Sequence, residues 1–514
     1  MSKTIIIIGA GLAGLSAALQ AAENGCNVKL VSSLPSERAQ SVMAEGGINA
    51  ALNTKDENDS PEEHFTDTIK AACGLADPNA VWGMTQAAPE LVHWLLKLGV
   101  KFNMSGYDDV DLRNFGGQKK KRTAFAQSDT GKQIMTAMID AVRRKEASGM
   151  VERFSHHSFL TLRLCGNICC GCVIRDEYSQ ETVELPGDAV IVATGGMHGL
   201  FGNTTGSLSN TGEVTAELFR LGVPLANGEM IQYHPTTVKC GGKRMLISEA
   251  ARGEGGRLFA MKDGKQWYFM EEKYPELGNL MPRDITAREI WKVSHESEVF
   301  LDMTEISEEI ISNKLSGLAD DCMTYLHKDI RKEPVSVLPG IHYFMGGILV
   351  DEQHRTPIQN LYAAGECCAQ YHGANRLGGN SLLGALYGGR VAAKSACEQA
   401  DVVDLSCATQ IDFPPASQIS EIKQLNKVMQ ETMGVVRNEN TLLNGIQTVQ
   451  ALTGNLPLLG MAVLKSALAR KESRGAHWRE DYPESNDNDY LKTTVARFDG
   501  KQIQISFVPV PERR

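Results

Sequence analysis

No apolar stretch in this chain reaches the ~18 residues that a membrane-spanning helix needs, and no internal repeat or low-complexity segment interrupts it. Positive charge is in short supply: 52 Lys and Arg stand against 62 Asp and Glu, a net charge of −10. That balance disfavours nucleic acid or an anionic membrane as partner, and an anionic small substrate needs a local cationic pocket set against the global field. The 49 glycines follow no G-x-y period, which excludes a collagen-like chain. The 12 cysteines show no spacing typical of iron–sulfur or haem attachment, so this chain alone holds no relay to a distant electron donor. Ahead of Ile5–Ile8 there is no signal-peptide pattern, and the apolar run is too short for an h-region. The expectation is a cytoplasmic protein with free thiols. The densest thiol group, Cys165, Cys169, Cys170 and Cys172, alternates around Gly166-Asn167 like a hairpin. It reads as buried strand thiols rather than a zinc site.

What the chain does have is globular: 42% apolar and 22% charged residues, over a length that suggests about three domains at ~150 residues each. Its first residues read strand, glycine turn, helix, strand, with Gly9, Gly11 and Gly14 in a G-x-G-x-x-G turn. In that βαβ setting Gly9 permits the tight turn, Gly11 lets the backbone approach a pyrophosphate, and Gly14 allows close helix–strand packing. The helix N-terminus then offers unpaired N–H groups and a positive dipole to the phosphates. The acid that ends the second strand of an NAD site is missing, and Ser32 and Ser33 stand there.

Two further strands end in glycine-rich exits, "DAVIVATGGM" with Thr194 and Gly195, and "IQNLYAAGECC" with Glu366. Nucleotide-facing segments so far apart imply one α/β, Rossmann-like ligand-binding domain interrupted by an insertion. The parts are placed at 1–228 and 341–405, around a mixed α+β capping domain at 229–340. After Pro414-Pro415 the apolar spacing turns helical over 416–472, and 473–514 forms a small C-terminal domain ending in the strand-like "KQIQISFVPV".

The motifs together resemble one family. They are "GAGLAGLSAAL", "MAEGGINAAL", "FGGQKKKRTAFAQSDTG", "VIVATGG", "MIQYHPT", "ISEAARGEGG", "MPRD", "IHYFMGGI", "AAGECC…HGANRLGGNSL" and "ARKESRGAHWREDYPE", in one order over nearly the whole chain. The chain is similar to the flavoprotein subunit of succinate dehydrogenase and fumarate reductase, with L-aspartate oxidase as a sister branch. The resemblance implies an FAD domain, a capping domain, a helical domain and a small C-terminal domain. It implies an FAD lined by Ser32, Ser33, Ser41, Ala44, Gly46, Gly47, Thr194 and Gly195, with Glu213 as an acidic contact. Glu366 would lie near the ribose, and Ser381 and Leu382 against the flavin pyrimidine edge.

It further implies that a C4-dicarboxylate is the substrate. His234 and Ser248, the latter where relatives have Thr, would bind one carboxylate, while His342 and Arg376 clamp the other. Arg283 would deliver the proton, with Glu249 and Asp284 as candidates for its reprotonation. Fumarate reduction adds hydride from flavin N5 to one carbon and a proton to the other, and the charge that develops must be stabilised. Arg376, His342 and His234 are expected to supply local positive charge. No role is assigned to His372, His477, His156 or His157, and Cys367-Cys368 read as packing.

Two departures separate the branches. Relatives with covalent FAD carry a histidine just upstream of "AEGG", where Gln40 stands here. Glutamine is no nucleophile for the flavin, so the FAD is expected to be non-covalent, which in this family favours fumarate reduction over succinate oxidation. Aspartate oxidases place an acid in the segment resembling "RNFGGQ", where this chain has Phe115 between Asn114 and Gln118. A phenyl ring offers an ammonium group only a weak contact. Fumarate reductase is therefore the leading reading, with an L-aspartate oxidase making iminoaspartate, a succinate dehydrogenase flavoprotein, an unrelated enoate reductase or a flavin-binding scaffold as alternatives. Electrons would come from an iron–sulfur subunit, in anaerobic respiration at the membrane surface, or from a diffusible reduced flavin. No direct membrane insertion is expected.

Overall fold

The computed structural model describes residues 2–106, 109–400, 413 and 418–514. Pro414-Pro415, and the boundary set between 405 and 416, lie outside the described residues. Strand β1 (Thr4–Ile8), helix α1 (Leu12–Glu23) and strand β2 (Asn27–Ser32) form the expected βαβ start, with Ile8 opposite Val31 in a parallel pair. Helix α2 (Pro61–Ala71) is capped by Ser60, whose Oγ accepts from Glu63 N at 3.2 Å. Strands β3 (Val151–Ser155), β4 (Ala189–Val192) and β5 (Leu361–Ala363) complete a parallel sheet in the order β5-β4-β1-β2-β3.

The continuous run Ile5–Ile8 follows from cover on both faces. Ile5 and Ile7 join a core with α1, whereas Ile6 and Ile8 join one that includes Cys169 and Cys172 of an antiparallel layer. That layer contains the cysteine hairpin, His157–Cys165 paired with Ile168–Asp176. Cys169, Cys170 and Cys172 are buried free thiols. Cys165 departs from expectation: it is only half-buried at the hairpin's end, and it is disulfide-bonded.

The strands Ile231–Cys240 and Leu338–Phe344 carry the chain into and out of the insertion, and the second of them runs across the boundary expected at 340/341. They pair antiparallel, Ile231 opposite Phe344, with irregularities between Gln232 and Tyr233 and between His234 and Thr237. Such bulges re-aim side chains next to active sites. Between these strands lie helix α3 (Glu249–Gly253), helix α4 (Arg283–Val293) and a four-stranded antiparallel sheet, packed around Leu258, Ile290 and Leu301.

Helix α5 (Asn380–Gln399) returns to the parallel sheet and lies along α1, where Ser16 Oγ donates to Leu386 O at 2.7 Å. The helices Ile419–Thr432, Glu439–Val449 and Asn455–Ala469 share a core of Leu425, Met429, Leu459 and Val463. The final hairpin, Lys492–Phe498 with Ile503–Pro509, pairs with Leu225–Ala226 and so completes a sheet begun far upstream. Buried Arg470, 2.7 Å from both Glu229 and Glu472, ties that end of the chain to the insertion's base. Among the described residues, no helix is long and apolar enough to cross a membrane.

Candidate active site

A cavity of about 990 Å³ runs from the ends of β1, β2 and β4 to the paired strands of the insertion. Its volume is at the upper end of the 300–1,000 Å³ usual for small-molecule and cofactor sites. At the sheet end, α1 begins at Gly11, which offers no side-chain cap, and has no acid in its first turn; Leu12 N donates to Ser41 Oγ at 3.3 Å, and the helix start with its positive dipole faces the cavity. Gly9 has φ +109°, and a Cβ there would lie 2.3 Å from Ala193 O. Gly14 is the one glycine of the turn that does not line the cavity: a Cβ there would meet Gly9 O at 1.9 Å, so its task is close packing. At Gly11 the nearest atom to an added Cβ is 3.7 Å away, which leaves room for a ligand.

Ser32, Ser33, Ser41, Ala44, Gly46, Gly47, Thr194, Gly195 and Glu213 share this wall. Ser32 Oγ is buried without a partner, an orphan that a ribose hydroxyl or phosphate satisfies. Glu366 also lines the cavity, with its Oε1 accepting from Phe344 N at 3.1 Å. Ser381 and Leu382 follow Gly379, the residue with φ +84° that starts α5, and both line the wall. A helix start facing the cavity, the orphaned Ser32 hydroxyl and the open Gly11 fit a dinucleotide.

The insertion end is cationic. Arg283, at the start of α4, donates from Nε (2.8 Å) and Nη2 (2.6 Å) to Glu249 Oε2, and from Nη1 to Gln232 Oε1 at 3.1 Å. Arg252 Nη2 lies 3.3 Å from Glu249 Oε1. Burial pushes the Glu249 carboxyl up, but Arg283 and Arg252 outweigh it and hold the group below its usual range. Arg376, 3% exposed, stacks 4.3 Å over the Tyr343 ring, and its Nε has no partner. Among the described residues it forms no ion pair; burial and the neighbouring Arg283 push its pKa down to about 9. A buried unpaired cation is costly, so this geometry is poised for an anion.

The two histidines come from the two antiparallel-paired strands, ring centroids 5.1 Å apart. Thr205 Oγ1 lies 2.8 Å from His342 Nδ1, while His234 Nε2 has no partner. The expectation that they supply positive charge is corrected. Burial and then Arg283 push both pKa values well below the usual imidazole range, so both rings are neutral and the charge is carried by arginine. Ser248 lines the cavity and caps α3, its Oγ accepting from Ala250 N at 3.4 Å.

Among the described residues Asp284 forms no ion pair with Arg283. Successive residues on a helix diverge by about 100°, and Asp284 instead accepts from Asn375 Nδ2 at 2.9 Å, two amides away from Arg283 through Gln232. Gln40 lines the cavity, its Oε1 accepting from Ser207 N at 2.6 Å. Phe115, 2% exposed, packs where a Cβ on Gly46 would meet its ring at 2.8 Å.

Sequence reasoning missed Gln232, Arg252, Tyr343 and Thr205, although the first three sit inside quoted motifs. It also missed Lys243 and Arg244 on the hairpin after "HPT", which line the cavity, as do His156 and His157. His372, packed edge-on against Tyr343 with its Nδ1 unpartnered, and His477, hydrogen-bonded to Arg437, both lie away from the cavity wall.

A domain family described as "FAD binding domain" matches residues 4–382, and one described as "Fumarate reductase flavoprotein C-term" matches residues 452–513. The succinate dehydrogenase flavoprotein subunit of Bacillus subtilis is 38% identical over 100% of this chain and 98% of its own. The chain belongs to the succinate dehydrogenase/fumarate reductase flavoprotein family. Its cofactor is FAD. The 8-methylmenaquinol:fumarate reductase flavoprotein subunit of Wolinella succinogenes is 32% identical, covering 100% of this chain and 92% of that protein. A solved E. coli quinol fumarate reductase chain superposes with a TM-score of 0.90 at 28% identity, over 99% of this chain and 97% of that one. The family thus contains both directions of the succinate–fumarate couple.

Proposed function

We propose that this chain is the FAD-bearing subunit of a fumarate reductase, adding hydride to one olefinic carbon of fumarate and a proton from Arg283 to the other. The observation that carries this reading is Arg376, a buried guanidinium left unpaired against the same cavity as the Glu249-bound Arg283. A C4 diacid supplies the missing anion: its planar carboxylate matches the guanidinium fork. His342 and the unpartnered His234 Nε2 donate to the diacid as neutral rings, and Ser248 Oγ is free to donate as well. Each charge-assisted bond contributes about 1.5–3 kcal/mol net, and their sum favours a dianion over a monoanion.

When bound and reduced by the electron donor, the flavin would supply the hydride from N5 and be left as oxidised FAD. Arginine is an unusual proton donor, since its pKa of about 12.5–13.8 lies far above neutral pH. Glu249 makes it workable: once Arg283 has given up its proton, one taken up from solvent would pass through the carboxylate back to Arg283 over bonds already in place, leaving Glu249 ionised again, and Arg252 holds the carboxylate's other oxygen. Gln40 supports non-covalent FAD, and Phe115 speaks against an ammonium-bearing substrate such as L-aspartate. For electrons we favour an iron–sulfur subunit, because relatives carry the word subunit in their names and this chain has no relay of its own. That arrangement puts the chain at the cytoplasmic membrane surface, held there by its partner, in anaerobic electron transport.

The test is a side-by-side assay of fumarate with a reduced dye against succinate and L-aspartate with an oxidised acceptor. Arg283→Ala is expected to keep its FAD and lose fumarate turnover. Normal turnover by that variant, or faster oxidation of L-aspartate by the parent protein, removes the proposal.

A further inference from the structure

We propose that His64 is a positioning residue for the flavin end of the cavity, acting through Asn380. The inference rests on the reading of Ser381 and Leu382 as flavin neighbours. His64, on α2, is 0% exposed and does not touch the cavity wall. Its Nε2 lies 2.9 Å from Asn380 Oδ1.

The direction of that bond follows from its surroundings. Asn380 Nδ2 donates to Thr68 Oγ1 at 3.0 Å, and the Thr68 hydroxyl donates to His64 O at 2.8 Å. Asn380 Oδ1 also accepts from Asn49 Nδ2 at 2.8 Å. Facing an oxygen that only accepts, His64 must donate, so its proton sits on Nε2. Burial and then the Arg122 guanidinium push its pKa down to about 3, which keeps the ring neutral.

The same network grips the turn before α5. Asn49 Nδ2 (2.7 Å) and Gln118 Nε2 (2.8 Å) both donate to Gly378 O, and Asn49 N donates to Gly379 O at 3.1 Å. Gly379 is in the left-handed region and starts the helix, so the aim of the following amides depends on how firmly this turn and Asn380 are held. Those first amides have no intrahelical partner and favour negative charge beside them. A reduced flavin carries its negative charge on the pyrimidine ring. With His64 removed, Asn380 loses one donor, the helix start loosens, and the reduced form is less favoured.

The experiment measures the two-electron midpoint potential of the FAD-loaded full-length protein by dye equilibration, for the parent, His64→Leu, His64→Gln and Thr68→Val. His64→Leu is expected to lower the equilibrium constant for reduction about tenfold, or roughly 30 mV for a two-electron couple. Thr68→Val should move it the same way, and His64→Gln, which keeps a donor, should stay close to the parent. An unchanged potential in FAD-loaded His64→Leu overturns the proposal. So does loss of FAD from both His64→Leu and Thr68→Val, which would make the role structural. If only His64→Leu loses FAD, Thr68→Val decides. No substrate is used, so failure of the fumarate assay and failure of this inference are separate results.

Discussion

Arg283 and Arg376 are held by one amide: Gln232 accepts from Arg283 Nη1 at 3.1 Å through its Oε1 and donates from Nε2 to Arg376 O at 2.8 Å. Only one of the two guanidiniums is neutralised. Arg283 shares Glu249, whereas Arg376 faces the cavity with its charge uncompensated. A site that is cationic by one unpaired arginine in a protein of net charge −10 is a local field working against the global one.

Arg376→Leu should therefore weaken binding of a non-reacting diacid such as malonate by roughly a hundredfold or more, the loss of about two charge-assisted bonds. The ligand-free variant should be no less stable than the parent, because an uncompensated buried charge has been removed. Thermal melts with and without malonate check both halves. Unchanged protection by malonate would falsify the assignment of Arg376 as an anion clamp.

Glu45 predicts a pH dependence. Its Oε2 is sealed from solvent without a partner, and burial, then Asp321, push its pKa up to about 8 against the lowering pull of Arg113. A carboxyl whose folded pKa lies above its unfolded value near 4.3 binds more protons folded than unfolded. Its contribution is complete below that unfolded value, is lost as pH rises toward about 8, and is flat beyond. Denaturant titrations of the holoprotein between acid and mildly alkaline pH should show that decline for the parent and a shallower one for Glu45→Gln. Parallel curves would remove the assignment.

Gln40 predicts how the yellow cofactor leaves. Acid precipitation should release all FAD into the supernatant, since the amide that accepts from Ser207 N has no nucleophilic nitrogen to offer the flavin. Flavin retained by the pellet would refute non-covalent binding.

Legibility varied with the range of the forces involved. The glycine turn was readable because its constraints are local: a Cβ at Gly9 or Gly14 strikes backbone atoms, whatever the rest of the protein does. His234, Arg283, His342 and Arg376 could be named from short motifs, and all four line one cavity. Their protonation and pairing could not be read, because those depend on neighbours from distant segments. The neutrality of His234 and His342 comes from burial beside Arg283, and Asp284's turn away from it comes from helix geometry. The last hairpin looked strand-like in sequence, but its pairing with Leu225–Ala226 carries no local signal.

The ladder between Ile231–Cys240 and Leu338–Phe344 brings His234 and His342 onto neighbouring strands of one sheet. Arg283 and Glu249 lie within the insertion, while Arg376 lies on the loop leading into α5. Among the described residues Gln232 is the side-chain link between the two arginines, so a substitution at that one amide, far from both in sequence, disturbs the two guanidiniums together.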